Sequence, residues 1–382
     1  MRVMILSPDL PLKLENIKGG VHSAVVNLLN GFAEHDIKVR VLSFNRELKE
    51  EKQVWFNDKI EIFYCPEGNY PFHVLNYLIN CTAKVRRHIR EFKPDLIHYE
   101  LGGAFLITKI WGLNKDKQLL TIHGIARAER KVTKSIKAKM AFYLNDWIEN
   151  MLRPKNLLHL SNYSFNLYVG KGNIDNYAII PNAVIPIYFD QPVKHRTSNS
   201  LLYVGGINDN KNILFLLEAL NNLVKQNKLF TLNVLGDFLS DEYREKVLNY
   251  VDRNNLSTYV KFNGWVAQKD TARFIRDADI LVVSSKQESL PMAIAEAMAA
   301  GKVVVASAIG GIPEMIQDQE NGYLFDISDI NNLVSILEKL YDNNENIRKI
   351  SSNAKDSAIQ QYYYKNVANK TIEFYQKIVQ SA

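Results

Sequence analysis

Short apolar runs alternate with amphipathic stretches along the chain, and this alternation predicts an α/β protein. In the first half, the apolar runs predict strands at residues 3–7, 37–42, 60–64, 95–99, 119–123, 157–160 and 177–180. Between them, apolar residues recur at helical spacing and predict helices at 21–32 and 72–92. Apolar strands separated by helices are typical of a parallel sheet that is covered on both faces.

The same alternation begins again after residues 185–200, where prolines and small polar residues predict a linker. The second half predicts strands at 201–204, 230–235, 260–262, 280–285 and 303–306, and helices at 211–226, 240–254, 268–277 and from residues 312 and 329. A chain of 382 residues fits two cores better than one. We therefore predict two doubly wound, Rossmann-like domains, residues 1–187 and 188–361, facing each other across a cleft.

The composition is that of a soluble globular protein, with 47% hydrophobic and 23% charged residues. Cys65 and Cys81 provide neither a disulfide framework nor the spacing of a metal site, so we expect a reducing cytoplasm. The first residues predict a buried strand rather than a signal peptide, and no run is long enough to span a bilayer. The net charge of +6 is modest, and we expect no nucleic-acid partner.

Most of the excess positive charge lies in one segment, residues 124–155. Basic residues outnumber acidic ones there by eight to three, and apolar residues recur at helical spacing on the opposite side. This pattern suits a helix that rests on anionic lipid. It suits equally a helix whose apolar stripe packs into its own domain, and periodicity alone does not distinguish the two.

Two glutamates, Glu288 and Glu296, lie in a stretch that predicts a strand, a loop, a helix and a second strand in succession. Pro291 suits the first turn of the helix, and Gly301 suits the position just after its last turn. In such a unit the loop lies at the carboxyl edge of a parallel sheet, where ligands bind, and the helix N-terminus attracts anions. We expect Glu288 in this loop and Glu296 on this helix to be functional; the alternative is a loop charge and an exposed helix charge.

Glycine pairs follow the first predicted strand of each domain. Gly19 and Gly20 precede the helix at 21–32, where glycine lets the backbone approach a ligand closely. The G-x-G-x-x-G fingerprint of dinucleotide-binding proteins is absent there, and an ordinary tight turn explains the pair equally well. In the second domain, Gly205 and Gly206 end the strand at 201–204.

Lys211 follows this second glycine pair. Asp209 or Asn210 can cap the next helix, which puts Lys211 in the first turn, where the helix dipole disfavours a cation. We interpret this lysine as a binding group for an anionic ligand. A solvated surface lysine is the alternative.

His123 ends the strand at 119–123, where it is placed to hydrogen-bond a polar ligand, although a structural role is more common for such a histidine. For His98, after the strand at 95–97, we favour the structural role. Asp277 and Asp279 have the D-x-D spacing by which some sugar-nucleotide enzymes hold a divalent metal. They lie between a helix and a strand, so capping explains them more simply.

In combination and order, these motifs resemble the retaining GT-B glycosyltransferases of family 4, over nearly the whole chain. The family's E-x7-E motif matches Glu288 and Glu296, its A-M-A-x-G matches residues 297–301, and its G-G-x-x-E matches residues 310–314.

The first half carries the rest of the resemblance. The family's glycine loop matches residues 19–20, its strand-ending histidine matches His123, and its P-N-G matches residues 181–183, with Ala183 in place of the glycine. Residues 362–379 resemble the family's C-terminal helix that crosses back to the first domain. By this resemblance, residues from about 362 to 382 complete the first domain.

The resemblance implies transfer of a sugar from a UDP- or GDP-linked donor to an acceptor hydroxyl, with retention at the anomeric carbon and with no metal or other cofactor required. It implies catalytic roles for Glu288 and His123, and contact of Glu296 with the ribose hydroxyls. The implied donor-binding positions are Gly20, Gly205, Lys211, Ser289, Leu290, Pro291 and Glu296, and the implied acceptor-side positions are Gly19 and Asn182. Gly206 stands where the family often has arginine, which leaves Lys211 alone at the diphosphate.

The basic segment favours a lipid-linked or growing glycan as the acceptor, in bacterial surface polysaccharide or lipopolysaccharide synthesis. The corresponding location is the cytoplasm, peripheral to the inner face of the cell membrane. Two alternatives remain: transfer to a small-molecule acceptor, and a catalytically silent subunit that binds the sugar nucleotide. A nicotinamide dehydrogenase is disfavoured by the missing fingerprint, and a periplasmic-type binding protein by the missing signal peptide.

Overall fold

The computed structural model describes residues 1–7, 9–17, 19–45, 47–67, 81–100, 115–133, 136–151, 155–169, 176–190, 199–341 and 343–382. The chain forms two compact units. The first consists of Met1–Arg127, Met140–Ala183 and Tyr364–Ala382, and the second of Ala128–Lys139 and Val184–Tyr363. Two-domain α/β architecture with parallel sheets, as predicted, is therefore confirmed.

The first unit contains an eight-stranded sheet with the strand order β3-β4-β2-β1-β5-β6-β7-β8. Its strands are β1 (Arg2–Ser7), β2 (Lys38–Asn45), β3 (Lys52–Trp55), β4 (Ile60–Pro66), β5 (Leu96–Tyr99), β6 (Gln118–Ile122), β7 (Asn156–His159) and β8 (Asn176–Ile179). Every strand predicted from the sequence is present within a few residues. The prediction missed β3, which pairs antiparallel with β4 at the edge and is largely exposed, so it lacks an apolar run.

Helices of the first unit include α1 (Gly20–Phe32), α2 (Thr82–Phe92), α5 (Asn162–Val169) and the C-terminal α14 (Tyr364–Ser381). The first part of the helix predicted at 72–92 lies outside the described residues. Helix α14 packs along α1 at Gly31, where an added Cβ would lie 2.6 Å from the Cβ of Ala368 and 2.7 Å from the carbonyl oxygen of Tyr364. Only glycine permits this close approach.

Two helices of the basic segment, α3 (Ala126–Val132) and α4 (Ile136–Met151), contribute residues to both units. The apolar stripe of α4 is exposed: Ile136 77%, Met140 69%, Tyr143 62%, Leu144 51% and Trp147 53%. The interpretation in which this stripe packs into its own domain is therefore wrong for these residues. In the described part of the chain, no helix combines the length and hydropathy needed to cross a membrane.

The second unit contains a six-stranded parallel sheet with the order β11-β10-β9-β12-β13-β14. Its strands are β9 (Ser200–Val204), β10 (Thr231–Leu235), β11 (Val260–Phe262), β12 (Ile280–Val283), β13 (Val303–Ser307) and β14 (Tyr323–Phe325). Neighbouring residues such as Leu201 and Leu202 enter different apolar clusters, so both faces of the sheet are buried. Of these strands the prediction missed only β14, a strand of three residues.

Helices cover this second sheet. They are α6 (Pro186–Phe189), α7 (Ile213–Lys225), α8 (Asp241–Arg253), α9 (Gln268–Asp277), α10 (Met292–Ala299), α11 (Ile312–Met315), α12 (Ile330–Leu340) and α13 (Asn344–Tyr362). The short α6 lies in the stretch predicted as a linker, of which residues 191–198 fall outside the described part. Strands β9 and β12 are direct neighbours, so the loops that follow them meet at one edge of the sheet.

Candidate active site

Glu288 lies in the loop after β12, as predicted, and it is buried. Its Oε1 accepts from Lys211 Nζ at 2.5 Å and from the hydroxyl of Ser285 at 2.7 Å. The interpretation of Glu288 as a free loop charge is therefore wrong. A buried carboxylate requires such partners, because an unpaired charge in this environment would be strongly destabilising.

The backbone of Glu288 is held by the glycine pair at 310–311. The N–H of Gly311 donates to the carbonyl oxygen of Glu288 at 3.1 Å. Gly310 has φ +57°, and a Cβ added there would lie 1.9 Å from the same carbonyl oxygen. Both the backbone angle and the available space therefore require glycine at position 310.

Lys211 does not lie in the first turn of a helix, so that part of the prediction is wrong. Helix α7 begins at Ile213 after Asn212, which has a left-handed conformation with φ 53°. The preceding turn is closed by the side chain of Asn208, which accepts from the Lys211 N–H at 2.9 Å. The side chain of Lys211 is only 30% exposed and its ammonium group is paired with Glu288, so it is not a solvated surface lysine either.

The loops after β9 and β12 are joined by hydrogen bonds around Lys211. The N–H of Lys286 donates to the carbonyl oxygen of Asn210 at 2.7 Å, and the Ser284 hydroxyl donates to that of Lys211 at 3.2 Å. Gly205 begins the loop after β9 with φ +146°. A Cβ added at Gly236 would lie 2.0 Å from the carbonyl oxygen of Gly205. The two loops thus form one rigid platform.

Glu296 lies on α10, as predicted, but it is buried rather than an exposed helix charge. Burial raises the pKa of its carboxyl group to about 8, and a hydrogen bond with Tyr188 lowers it only in part. Pro291 is the N-cap of α10, and Gly301 follows the helix with φ +63°. Between Glu288 and the helix, Ser289 is buried and Leu290 is half-buried.

The first unit holds a second group of predicted site residues. His123 and Asn182 line one small pocket, together with Glu100. His123 Nε2 lies 2.6 Å from Glu100 Oε2. Desolvation raises the pKa of Glu100, but the imidazoles of His98 and His123 and the hydroxyl of Thr121 outweigh it and hold this pKa below its usual value.

Gly19 and Gly20 lie at the start of α1. Gly19 is the N-cap, with φ +93°, and an added Cβ would meet nothing closer than His22 Nδ1 at 3.8 Å. The backbone angle, rather than lack of space, requires glycine at this position. Both glycines are exposed, which leaves the N-terminal N–H groups of α1 accessible.

Sequence reasoning missed Glu100, Ser285 and Tyr188. Glu100 immediately follows β5, so the rule that singled out His123 at the end of β6 would have found it as well. Ser285 follows β12 in the same way. Tyr188 contacts Glu296 only through the tertiary fold, and no local signal indicates it.

Two groups of side chains contain possible metal ligands. Asp279 Oδ2 accepts from the backbone N–H and the hydroxyl of Ser200, at 3.0 and 2.9 Å, so this buried carboxylate holds the neighbouring strand β9 instead of capping the helix. Asp277 accepts from Arg276 at 3.0 Å. Glu51, Cys65 and His88 bring possible ligand atoms within 4.8 Å of one another. Arginines approach both ring nitrogens of that histidine, so the donors fit an ion-pair network better than a cation.

Comparisons with known proteins find similarity to glycosyltransferases. A family described as "Glycosyltransferase Family 4" matches residues 18–186, and one described as "Glycosyl transferases group 1" matches residues 184–357. An uncharacterized glycosyltransferase of Methanocaldococcus jannaschii is 27% identical over 356 residues, 88% of this chain and 89% of that protein. The lipopolysaccharide 1,2-N-acetylglucosaminetransferase of Salmonella typhimurium is 32% identical over 178 residues, 44% of this chain and 46% of that protein.

Solved structures show the same fold. Sucrose-phosphate synthase from Thermosynechococcus elongatus has a TM-score of 0.84 at 17% identity and covers 100% of both chains. Anabaena HepE in complex with UDP-glucose has a TM-score of 0.73 at 19% identity and covers 100% of this chain and 99% of that one. At these identities the likeness establishes the fold alone.

Proposed function

Because the chain belongs to the GT-B glycosyltransferases of the family 4 type, we propose that it moves a sugar from a nucleoside diphosphate to an acceptor hydroxyl, with retention at the anomeric carbon and without a metal ion. The observation that carries this proposal is the pairing of Lys211 Nζ with Glu288 Oε1 at 2.5 Å. It puts a cation suited to a diphosphate beside a carboxylate suited to a sugar, at the sheet edge where ligands of α/β folds bind.

Negative charge develops on the leaving diphosphate during the transfer, so positive potential fixed in advance lowers the barrier. Lys211 supplies a full charge, and the N-terminus of α10 after Pro291 supplies free N–H groups. Gly206 stands where the family often has an arginine, so position 206 provides no second side-chain cation to support Lys211.

Glu288 is proposed to bind the transferred sugar and to stabilise positive charge at its anomeric carbon. The hydroxyl of Ser285 donates to this carboxylate, and the glycine pair at 310–311 holds the backbone of the same residue, so little reorganisation accompanies the reaction. Glu296 is proposed to accept from the ribose hydroxyls, and Gly205, Ser289 and Leu290 to contact the donor.

In the first unit, His123 is proposed as a second catalytic residue. Gly20 is proposed to donate a backbone N–H to the donor diphosphate. Gly19 and Asn182 are proposed to lie on the acceptor side. The assignment of Asn182 is supported by its position in the same pocket as His123.

The proposed donor is a UDP-sugar, with a GDP-sugar as the alternative. The structure of HepE, which holds UDP-glucose, supports the first choice through a fold shared over the full chain. A thermal-shift panel of UDP, GDP, ADP, CMP and their sugar conjugates, with and without Mg²⁺, tests the proposal. A ligand at a hundred times its Kd raises the free energy of unfolding by about 2.7 kcal/mol.

We expect stabilisation by one nucleotide series, equal with and without Mg²⁺. Stabilisation that requires Mg²⁺ would contradict metal-free binding. Stabilisation without sugar transfer to any acceptor would favour the catalytically silent subunit. No stabilisation of a folded protein by any nucleotide would refute the proposed function.

The proposed acceptor is a lipid-linked or growing glycan of a bacterial surface polysaccharide or lipopolysaccharide, with a small-molecule acceptor as the alternative. The Salmonella relative acts on lipopolysaccharide by its name, which supports this class. The exposed stripe of α4, with Lys131 and Lys139 also exposed nearby, supports a cytoplasmic protein that contacts the inner face of the membrane.

Flotation with phosphatidylglycerol vesicles and with phosphatidylcholine vesicles tests the membrane contact. We expect binding to the anionic vesicles that weakens as salt is raised. Trp147→Ser should reduce it, whereas Trp55→Ser, which changes an equally exposed tryptophan on β3, should not. Equal loss in both variants, or no binding by the native protein, would contradict the proposal.

A further inference from the structure

A chain of buried hydrogen-bonding side chains crosses the first unit and ends at His123. His98 Nδ1 lies 2.6 Å from the hydroxyl of Tyr375, and His98 Nε2 lies 2.6 Å from the hydroxyl of Thr121. Thr121 is also hydrogen-bonded to Glu100, whose Oε2 lies 2.6 Å from His123 Nε2. Glu100 Oε1 is 3.4 Å from His98 Nε2.

Once Glu100 is ionised, only one assignment of donors and acceptors satisfies all of these hydrogen bonds. A carboxylate only accepts, so the hydroxyl of Thr121 donates its single proton to Glu100. That hydroxyl must then accept from His98 Nε2–H, and His98 Nδ1 accepts from the hydroxyl of Tyr375. Burial lowers the pKa of His98, which favours the neutral ring that this arrangement requires.

The Glu100 carboxylate is held in place by elements that are far apart in sequence. Glu100 is only 4% exposed, and its partners come from the strands β5 and β6 and, through Tyr375, from the C-terminal helix α14. The side chains of Glu100 and His123 lie at the carboxyl ends of these neighbouring strands. Burying an anion costs desolvation free energy, and packing alone gives no reason for that cost at Glu100.

We propose that Glu100 is a positioning residue that fixes the ring of His123 by accepting a hydrogen bond from its Nε2, and that it adds a buried negative charge behind that ring. With a single ring proton on Nε2, the Nδ1 atom of His123 is an acceptor. The charge of the pair stabilises positive charge that develops on the transferred sugar. This inference rests on the proposed function, because only there does His123 act on the substrate.

The first measurement is the proton NMR spectrum of the native protein, with His123→Asn for assignment. A ring N–H that exchanges freely with water is not seen, whereas one held by a buried carboxylate is protected. We expect a protected Nε2–H resonance from His123. Its absence would overturn the inference without any activity assay or any Glu100 variant.

The second measurement is the steady-state kinetics of Glu100→Gln, which keeps the shape of the side chain and removes its charge. We expect kcat to fall by about tenfold or more, with donor KM changed by less than about threefold, because the charge acts mainly in the transition state. Glu100→Asp, which keeps the charge but shortens its reach, should retain more activity than Glu100→Gln.

Glu34→Gln is the matched control. Glu34 also accepts from a tyrosine of α14, Tyr364 at 2.7 Å, but it lies outside the pocket. We expect native kcat from this variant. A kcat of Glu100→Gln within about twofold of the native value would overturn the inference. If the native protein transfers no sugar, the proposed function fails, and the NMR spectrum still decides whether Glu100 holds His123.

Discussion

Replacing Glu296 by glutamine should change how the stability of the second unit depends on pH. Burial raises the pKa of this carboxyl group from 4.5 to about 8 in the folded protein. Between these values the unfolded chain releases its proton while the folded protein keeps it. The free energy of unfolding of the native protein therefore falls as pH rises, and this contribution is absent from Glu296→Gln.

The size of the effect follows from the difference between the two pKa values. The stability gap between the variant and the native protein should grow by about 1.4 kcal/mol per pH unit. From pH 5 to pH 7 this amounts to about 3 kcal/mol, or roughly 10 °C in Tm for a unit of this size. Above pH 8 the gap should stay constant, because the carboxyl group is then ionised in both states.

Calorimetry of both proteins at pH 5, 6, 7 and 8 measures this gap. Buried histidines also titrate in this range, but they are present in both proteins and cancel from the difference. Glu218→Gln, a change at an exposed position of α7, serves as the control and should show a constant gap. A gap for Glu296→Gln that varies by less than about 0.5 kcal/mol over this range would refute the reasoning.

Three further outcomes are expected. Gly310→Ala should lower kcat by about 100-fold, because its Cβ would displace the Glu288 carbonyl oxygen, which is 1.9 Å away. Gly301→Ala has a similar positive φ and its nearest contact at 3.8 Å, so it should lower stability but not kcat. Similar kcat values for the two variants would contradict this. Lys211→Met should weaken UDP binding by about tenfold or more and leave uridine binding unchanged, as measured by calorimetric titration, since only the diphosphate contacts the ammonium group; equal weakening of both ligands would count against that role. UDP affinity should rise by up to about tenfold per pH unit below pH 8, because binding of the ribose hydroxyls requires an ionised Glu296. An affinity that does not change with pH would show that Glu296 does not bind the ribose.

Much of the second unit's site could be predicted from local signals. Pro291 and Gly301 mark the two ends of α10, and with them the positions of Glu288 in the loop and Glu296 on the helix follow. The start of α7 could not be predicted, because Asn212 adopts a left-handed conformation that sequence does not require of asparagine. As a result, Lys211 was placed in a helix turn instead of in the loop.

Partners supplied by the tertiary fold were beyond such signals. The burial of Glu296 and its hydrogen bond with Tyr188 depend on how α6 and α10 pack, which no residue within α10 indicates. The link from Tyr375 to His98 spans 277 residues. A run of three residues carries little periodic pattern, so β14 was missed, although the equally short β11 was predicted.

The contact of α14 with α1 at Gly31 has a consequence for biosynthesis. Residues 364–382 belong to the first unit, yet they emerge from the ribosome after the whole of the second unit. The apolar side of α1 therefore stays uncovered while about 180 intervening residues are translated, roughly 10 to 40 seconds at 5–20 residues per second. During this interval the nascent first unit exposes an apolar surface, and chaperones that bind such surfaces should associate with it until α14 is translated.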